Sequence, residues 1–278
     1  MVEAVSRREA GHGVARGLGF HLGLLHRDMA GRYWEVDALR GLAIVMMVAF
    51  HAAFDVAYLG YWQTDVFAGA WKLWSALIAS TFIGVAGVSL AISYSRLCRH
   101  SQGWRIFGRY LRQGLRLLGW GLVITFTSWL YTGEVVVAFG ILHLIGTATI
   151  LSYPFLARPR AGLAVGALAV ALGMHFGSMP VIRPWAVLPL VGPPATTQLD
   201  YFPLLPWAGV MLIGVFLGQS LYPGGRRRLS LPEGQHWLGL RQLVWLGQRS
   251  LLIYLAHQPV LLALLTLVGY LGLIVPGP

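Results

Sequence analysis

The sequence YWEVDALRGLAIVMMVAFHAAFD at residues 33–55 decides the fold class. After Arg40 it runs for ten residues without an ionisable side chain, until His51 and Asp55 interrupt the apolar stretch. The whole apolar segment extends over about 39–61, which is close to the roughly 20 residues with which a helix crosses a bilayer. The stretch therefore predicts a transmembrane helix that carries ionisable side chains in its interior.

The composition of the whole chain indicates the same class. Of the 278 residues, 56% are hydrophobic and only 11% are charged, and the mean hydropathy is +0.65. A soluble domain has about 25% charged residues. Since so few charges cannot cover a water-exposed surface, a soluble protein of one or two domains is excluded. The single cysteine, Cys98, excludes an internal disulfide and any multi-cysteine metal site.

Seven apolar segments of similar length follow one another along the chain. They are continuously apolar rather than alternating, which favours helices over a transmembrane β-barrel. We therefore predict an all-α protein, a polytopic transmembrane helical bundle of about seven spans, with a non-helical loop in the proline-rich residues 179–203. The seven segments are 39–61, 73–95, 113–131, 135–156, 161–178, 204–221 and 250–273.

The distribution of basic residues predicts the orientation of these spans. If the N-terminus is cytoplasmic, 19 of the 21 Lys and Arg residues lie in inner segments, and only Lys72 and Arg183 lie outside. Cytoplasmic loops carry such an excess of positive charge. An eighth span drawn from 181–199 would place the cluster Arg226–Arg228 outside, so we do not predict one. The net charge of +11 then reflects orientation and does not indicate nucleic-acid binding.

The order of the apolar segments along the chain also predicts the domain organisation and the cellular location of the protein. No internal repeat or low-complexity linker divides the chain, so we predict a cytoplasmic tail over 1–32 and a single transmembrane domain over 33–278. We expect a multi-pass protein of the inner (cytoplasmic) membrane, surrounded by the lipid bilayer. The many glycines, 35 in all, are also compatible with a homo-oligomer.

His51 and Asp55 are the first candidates for a functional site. They lie four residues apart, and therefore on one face of the predicted helix. His51 follows Arg40 by eleven residues, which places it on the order of 16 Å deeper in the membrane. Ionisable groups at this depth are costly and mark functional sites. A carboxylate that orients an imidazole produces a general base, so we predict that Asp55 orients His51.

Other intramembrane histidines are open to two interpretations. His143 and His257 lie in predicted spans, and each could line a binding pocket or donate one hydrogen bond that stabilises helix packing. The position of His175, towards the outer end of its predicted span, favours the packing interpretation for that residue.

Arg40 lies at the inner mouth of the first span, together with Glu35 and Asp37. It could be an anchor of the positive-inside kind, or its guanidinium could bind a phosphate group bidentately. The run of arginines between Arg96 and Arg116 is typical of a solvated inner face, and it could also attract an anionic cofactor.

Four strings in one order carry a resemblance to a known family. They are YWEVDALRGLAIVMMVAFHAAFD at 33–55, GILHLIG at 140–146, DYFPLLPW at 200–207 and GQRSLLIYLAHQPV at 247–260. With them the chain resembles bacterial members of the heparan-alpha-glucosaminide N-acetyltransferase catalytic-domain family. The ten residues between Arg40 and His51 also match the arginine-to-histidine spacing of the related acyltransferase-three superfamily.

The resemblance implies a transmembrane acyltransferase domain over 33–278. It would move an acetyl or other acyl group from cytoplasmic acyl-CoA, most simply acetyl-CoA, to an amine or hydroxyl of an outward-facing sugar or glycan, with no metal. His51 would be the general base with Asp55 beside it, and Arg40 would lie near the CoA phosphates. The residues expected to line the pocket or hold its geometry are Asp37, His143, Asp200 and His257.

One departure from the family pattern concerns His51 itself. Eukaryotic lysosomal members carry an amide residue at the matching place, and their catalytic histidine comes later in the chain. No histidine lies between residues 52 and 99 here, so that role cannot be carried over. Either His51 is the base, as in the acyltransferase-three branch, or the activity has drifted; we favour the first.

Two other classes of function remain open at the level of sequence. His51 and Asp55 could be the proton relay of a proton-coupled transporter for a small solute, although no repeat is detectable. His51, His143 and His257 have comparable depths and could ligate haem b.

Overall fold

The computed structural model describes residues 32–66, 68–101, 103–133, 137–177, 200–231 and 237–271, and over these ranges the regular structure is helical throughout. A short 3-10 turn at Pro223–Gly225 follows the seventh helix. The helices are α1 (Trp34–Tyr58), α2 (Gly69–Leu97), α3 (Trp104–Thr132), α4 (Ile141–Leu151), α5 (Tyr153–Leu156), α6 (Pro159–Gly177), α7 (Leu204–Leu221), α8 (Leu238–Gln248) and α9 (Ser250–Tyr270).

Five of the described helices, namely α1, α2, α6, α7 and α9, are long and apolar enough to cross a membrane. They coincide with five of the seven predicted segments, so the prediction of a polytopic helical membrane protein is confirmed. The count of seven spans and the cytoplasmic N-terminus stay predictions. Residues 1–31 of the predicted tail over 1–32, and residues 179–199 of the predicted loop over 179–203, lie outside the described residues.

The expectation of one continuous helix over 135–156 is wrong. In that region α4 has only 11 residues, or roughly 16 Å, which is too short to cross the hydrocarbon layer alone. Gly140 is extended and begins the helix late. At the other end the chain is interrupted at Ser152, where Pro154 cannot donate to the carbonyl of Ile150.

Glycines bring α7 into close contact with α2 on one side and with α6 on the other. A Cβ atom at Gly214 would overlap the main chain of Gly84 in α2, and one at Gly209 would meet the carbonyl of Gly166 in α6. Small residues allow this approach of helix backbones inside a membrane. The three helices α2, α6 and α7 therefore form the compact part of the bundle.

Helix α1 packs against α2, α9 and the short helix α8, which the segment analysis did not predict. Its crossing with α8 is close, because a Cβ atom at Gly41 would overlap the carbonyl of Leu243, and one at Gly247 that of Asp37. Helix α8 lies directly before α9, with only Arg249 between them. It therefore fixes the position of the last spanning helix relative to the first.

A polar cluster holds the beginning of α1 against the turn that follows α7. Arg227 donates two hydrogen bonds to the Glu35 carboxylate, at 2.8 and 2.5 Å, and the Tyr222 hydroxyl donates a third at 2.8 Å. Burial raises the pKa of Tyr222, and the neighbouring Glu35 carboxylate raises it further. The hydroxyl therefore stays protonated at neutral pH, and Glu35 is a structural residue.

The glycine crossings give a first prediction. We expect Gly214→Val to destabilise the protein by about 1–3 kcal/mol, because the side chain would overlap the backbone of α2. Thermal unfolding in detergent measures the effect. Gly119→Val in α3 is the matched control, since it introduces the same residue into a helix where nothing lies within 4 Å of the new Cβ atom. Equal melting temperatures for the two variants would contradict the proposed close packing.

Candidate active site

A large cavity lies between α1, α2, α3, α4 and α9, and Trp207 of α7 also lines it. Its volume is about 1,780 Å³, whereas a pocket for one drug-sized ligand has roughly 300–1,000 Å³. Arg32, Arg40 and Arg116 line the end near the start of α1 and the middle of α3, and Tyr58 and Tyr131 line the opposite end. The cavity is therefore large enough for two substrates. The three arginines make their end the more positive one, although Lys72 near the start of α2 also lines the cavity.

His51 lines this cavity about midway along α1, and its ring orientation is defined by the backbone. Its Nδ1 atom lies 3.0 Å from the carbonyl oxygen of Met47. Because a carbonyl can only accept, Nδ1 carries the hydrogen and the neutral ring keeps its lone pair on Nε2. Within the described residues, no hydrogen-bond partner contacts Nε2. His51 thus has the tautomer that a base requires.

Asp55 is almost completely buried, with 1% of its surface exposed, and it does not hydrogen-bond to His51. Its Oδ1 atom accepts a hydrogen bond of 2.6 Å from Nε2 of Gln258 in α9. Its Oδ2 atom is buried without a hydrogen bond among the described residues. The prediction that Asp55 orients the imidazole is therefore corrected: Asp55 joins α1 to α9, and the Met47 carbonyl orients His51.

The structure brings His257 next to His51. Their rings meet edge to face with a centroid distance of 4.8 Å. The Nδ1 atom of His257 lies 2.6 Å from the carbonyl of Tyr254, so this ring too has its lone pair on Nε2, which is buried and has no partner among the described residues. His257 lines the cavity, as expected.

His143 occupies a different position from the other two histidines. It is absent from the lining of the large cavity, and its ring packs against the backbone of α3 where Gly121 has no side chain. The Gly140 N–H donates to its Nδ1 atom at 3.3 Å, so the hydrogen of the neutral ring is on Nε2. His143 thus packs against α3, but its Nε2 is buried without a hydrogen-bond partner among the described residues, so it does not donate the bond that the packing interpretation predicts. Since His51 and His257 line the cavity and His143 does not, the three histidines do not share one site.

Asp200 lines the cavity from the segment that precedes α7, as expected. It accepts a hydrogen bond of 3.1 Å from the Tyr254 hydroxyl, and it lies against Gly140 at the N-terminus of α4, where the lack of a Cβ atom makes room. Burial raises the pKa of Asp200, while hydrogen bonds from the Tyr254 hydroxyl and the Ile141 amide oppose that rise. A carboxylate at this position interacts favourably with the helix dipole, so Asp200 connects α4 with α9.

Arg40 is held at the positive end of the cavity by two side chains. Its guanidinium donates to Asp37 at 3.1 Å and to the Ser89 hydroxyl of α2 at 2.7 Å. Asp37 is buried, and Arg32 lies 3.8 Å from its other oxygen. The Asp37 carboxylate therefore faces the two arginines rather than the cavity. Its role is to position Arg40. In the part of the chain that the structure describes, no three His, Cys, Asp or Glu side chains form a group that could hold a metal ion.

Sequence reasoning missed three residues of the site, namely Gln258, Tyr254 and Ser89. Each is a polar residue in an apolar helix, and Tyr254 and Gln258 flank His257 on the same helix. A search for ionisable groups does not select amides or hydroxyls. Burying an uncharged polar side chain in an apolar environment also costs free energy, and a search for every polar residue in the apolar helices would have included all three.

The fold and the cavity define a class of protein: a multi-pass helical membrane protein with an arginine-lined, histidine-containing cavity between its helices. The chain matches the family described as "Heparan-alpha-glucosaminide N-acetyltransferase, catalytic" over residues 32–259 and belongs to that family. Membership confirms the predicted resemblance to this family, though not to its bacterial members in particular, and makes the protein a membrane acetyltransferase. The family uses acetyl-CoA as donor. Comparisons with curated proteins and with solved structures found no match.

The contact between Asp55 and Gln258 gives a second prediction. We expect Gln258→Leu to destabilise the protein by roughly 1–3 kcal/mol, because a buried carboxylate then has no donor. Replacing both partners, in Asp55→Leu/Gln258→Leu, removes the unsatisfied group and should be less destabilising than Gln258→Leu alone. Unfolding of the two single variants and the double variant measures the coupling; additive effects would show that the bond does not join the helices.

Proposed function

We propose that the protein transfers an acetyl group from acetyl-CoA to an amine or hydroxyl of an outward-facing sugar or glycan, within the cavity around His51. The observation that carries this proposal is the state of the His51 ring. Its Nδ1–H is bound to the Met47 carbonyl, and its Nε2 lone pair faces the cavity without a protein partner among the described residues. In this proposal 33–278 is the acyltransferase domain, and its N-terminus is cytoplasmic in the inner membrane.

The donor would enter at the positive end of the cavity. Arg40 is fixed there by Asp37 and Ser89, so its guanidinium is preorganised for the phosphate groups of CoA. The distance along α1 from Arg40 to His51 is on the order of 16 Å for eleven residues. An extended pantetheine arm along the helix would thus carry the thioester towards the imidazole, while the acceptor would enter from the opposite end.

The chemistry requires one base at the centre of the cavity. Nε2 of His51 would take the proton of the acceptor amine or hydroxyl as its nitrogen or oxygen attacks the thioester carbonyl. The carbon–sulfur bond then breaks and the CoA thiolate leaves. A positioned base of this kind contributes about 10²–10⁴-fold to the rate. Direct transfer needs no acyl-enzyme intermediate, and it is the simpler path for a histidine with one accessible nitrogen.

The stabilisation of the oxyanion needs a donor, and the tautomers limit the candidates. Two intramembrane histidines, His143 and His257, are candidates for this role. Neutral His257 presents an acceptor at Nε2, because its hydrogen is bound to the Tyr254 carbonyl. His143 has its hydrogen on Nε2 but packs against α3 outside the cavity lining. The geometry therefore supports neither residue as the oxyanion donor.

The role of His51 gives a third prediction. We expect His51→Gln to lower acetyl transfer to a verified acceptor by about 10²–10⁴-fold, because the amide cannot take the proton. Acetyl-CoA binding and thermal stability should change little. The control His175→Gln alters an exposed histidine of α6 outside the cavity. Turnover at the wild-type rate in His51→Gln would show that another group is the base.

The role of Arg40 gives a fourth prediction, which needs no acceptor. We expect Arg40→Ala to weaken acetyl-CoA binding by about tenfold or more, since a charge-assisted contact with phosphate is lost. Isothermal titration in detergent measures the affinity, with Arg160→Ala, an exposed arginine of α6, as the control. Unchanged affinity in Arg40→Ala would contradict the donor site. Solute flux by wild-type proteoliposomes without acetyl-CoA would instead indicate a transporter.

A further inference from the structure

A second, smaller cavity lies where the end of α2 meets the beginning of α3. Its volume is about 290 Å³. Three of its lining residues are arginines, and a hydroxyl group lies beside them. The lining residues are Leu97, Ser101, Arg105, Ile106, Arg109 and Arg112.

The arginines of α3 are aligned rather than scattered. Arg105, Arg109, Arg112 and Arg116 follow one another at spacings of four, three and four residues, which places all of them on one face of the helix. Like charges at such spacings destabilise a helix. The positive-inside rule requires basic residues near the membrane surface, but it does not require that they share a face or line a cavity.

These guanidinium groups are not neutralised by the carboxylates that the structure places nearby. The ion pairs among the described residues use Glu35 for Arg227 and Asp37 for Arg40 and Arg32, and none of them includes an arginine of α3. Arg105, Arg109 and Arg112 are exposed. Among the described residues no carboxylate offsets the repulsion between these charges, and an anion in the small cavity would relieve it.

The arginine face also leads from the small cavity to the large one. Arg116, at its far end, lines the large cavity together with Arg32 and Arg40. The rise from Arg105 to Arg116 is on the order of 16 Å for eleven residues. A ligand with several phosphate groups could therefore contact arginines at both cavities at once.

We propose that Arg105, Arg109 and Arg112 form a binding site for a phosphate monoester beside the large cavity. A monoester carries close to two negative charges and three acceptor oxygens, which suits two or three neighbouring guanidinium forks. Two molecules have such a group. One is acetyl-CoA, with its ribose 3′-phosphate, and this form of the proposal rests on the proposed function. The other is phosphatidic acid, with its headgroup, and this form does not depend on the proposed function.

The experiment compares wild type with the double variant Arg105→Gln/Arg109→Gln. The control variant Arg158→Gln/Arg160→Gln removes two charges from exposed arginines near the start of α6. In the first arm, titration measures the affinities for acetyl-CoA and for acetyl-dephospho-CoA, which lacks the 3′-phosphate. In the second arm, the melting temperature is measured in phosphatidylcholine nanodiscs that contain phosphatidic acid or, as a diester control, phosphatidylglycerol.

If the donor supplies the phosphate, wild type and the control variant should bind acetyl-CoA about tenfold more tightly than the dephospho form. The double variant should lose this preference and keep its affinity for acetyl-dephospho-CoA. If a lipid supplies the phosphate, phosphatidic acid should raise the melting temperature of wild type more than phosphatidylglycerol does, and the double variant should lose that difference.

Two results separate the failure of this site from the failure of the proposed function. If the double variant behaves like wild type in both arms, the phosphate site is wrong, whether or not acetyl-CoA binds. If wild type does not bind acetyl-CoA at all, the proposed function fails, while the phosphatidic acid arm still confirms or overturns the site.

Discussion

A carboxylate inside a bilayer must find a hydrogen-bond donor within the protein, and the structure around the large cavity depends on how Asp55 satisfies this need. Its donor is Gln258 of α9, a helix whose main described contacts are with α1 and α8. The bond thus holds one wall of the cavity against the helix that carries His51. Since an unpaired buried charge costs several kcal/mol, the position of α9 is strongly restrained, and with it that of His257.

The bundle combines close helix crossings with one large cavity. Where α7 meets α2 and α6, glycines such as Gly209 and Gly214 let the backbones touch. Glycines also bring α3 against α4, through Gly114 and Gly146. The cavity lies between helices that these crossings hold in place, and such rigid contacts help to position its lining residues.

Local sequence patterns were sufficient to predict the class of protein and five of the spanning helices. They also predicted the position of His51 relative to Arg40 along the first helix. They failed where a contact joins distant parts of the chain. Asp55 and Gln258 are separated by 203 positions, and no local pattern indicates that the amide replaces His51 as the partner. Similarly, His143 and His257 both lie in apolar strings, yet only His257 lines the cavity. Which face of a helix meets a cavity is decided by packing, which a single sequence does not display.

The bond between His51 and the Met47 carbonyl also determines how a catalytic cycle would have to end. With Nδ1 permanently engaged by the backbone, a proton gained at Nε2 cannot pass through the ring to another residue, and it must leave from Nε2 into the same cavity. In the proposed reaction the only new base formed there is the thiolate of CoA. The departing thiol would then carry the proton of the acceptor to the donor side, so that transfer to a neutral acceptor would release no free proton on either side of the membrane.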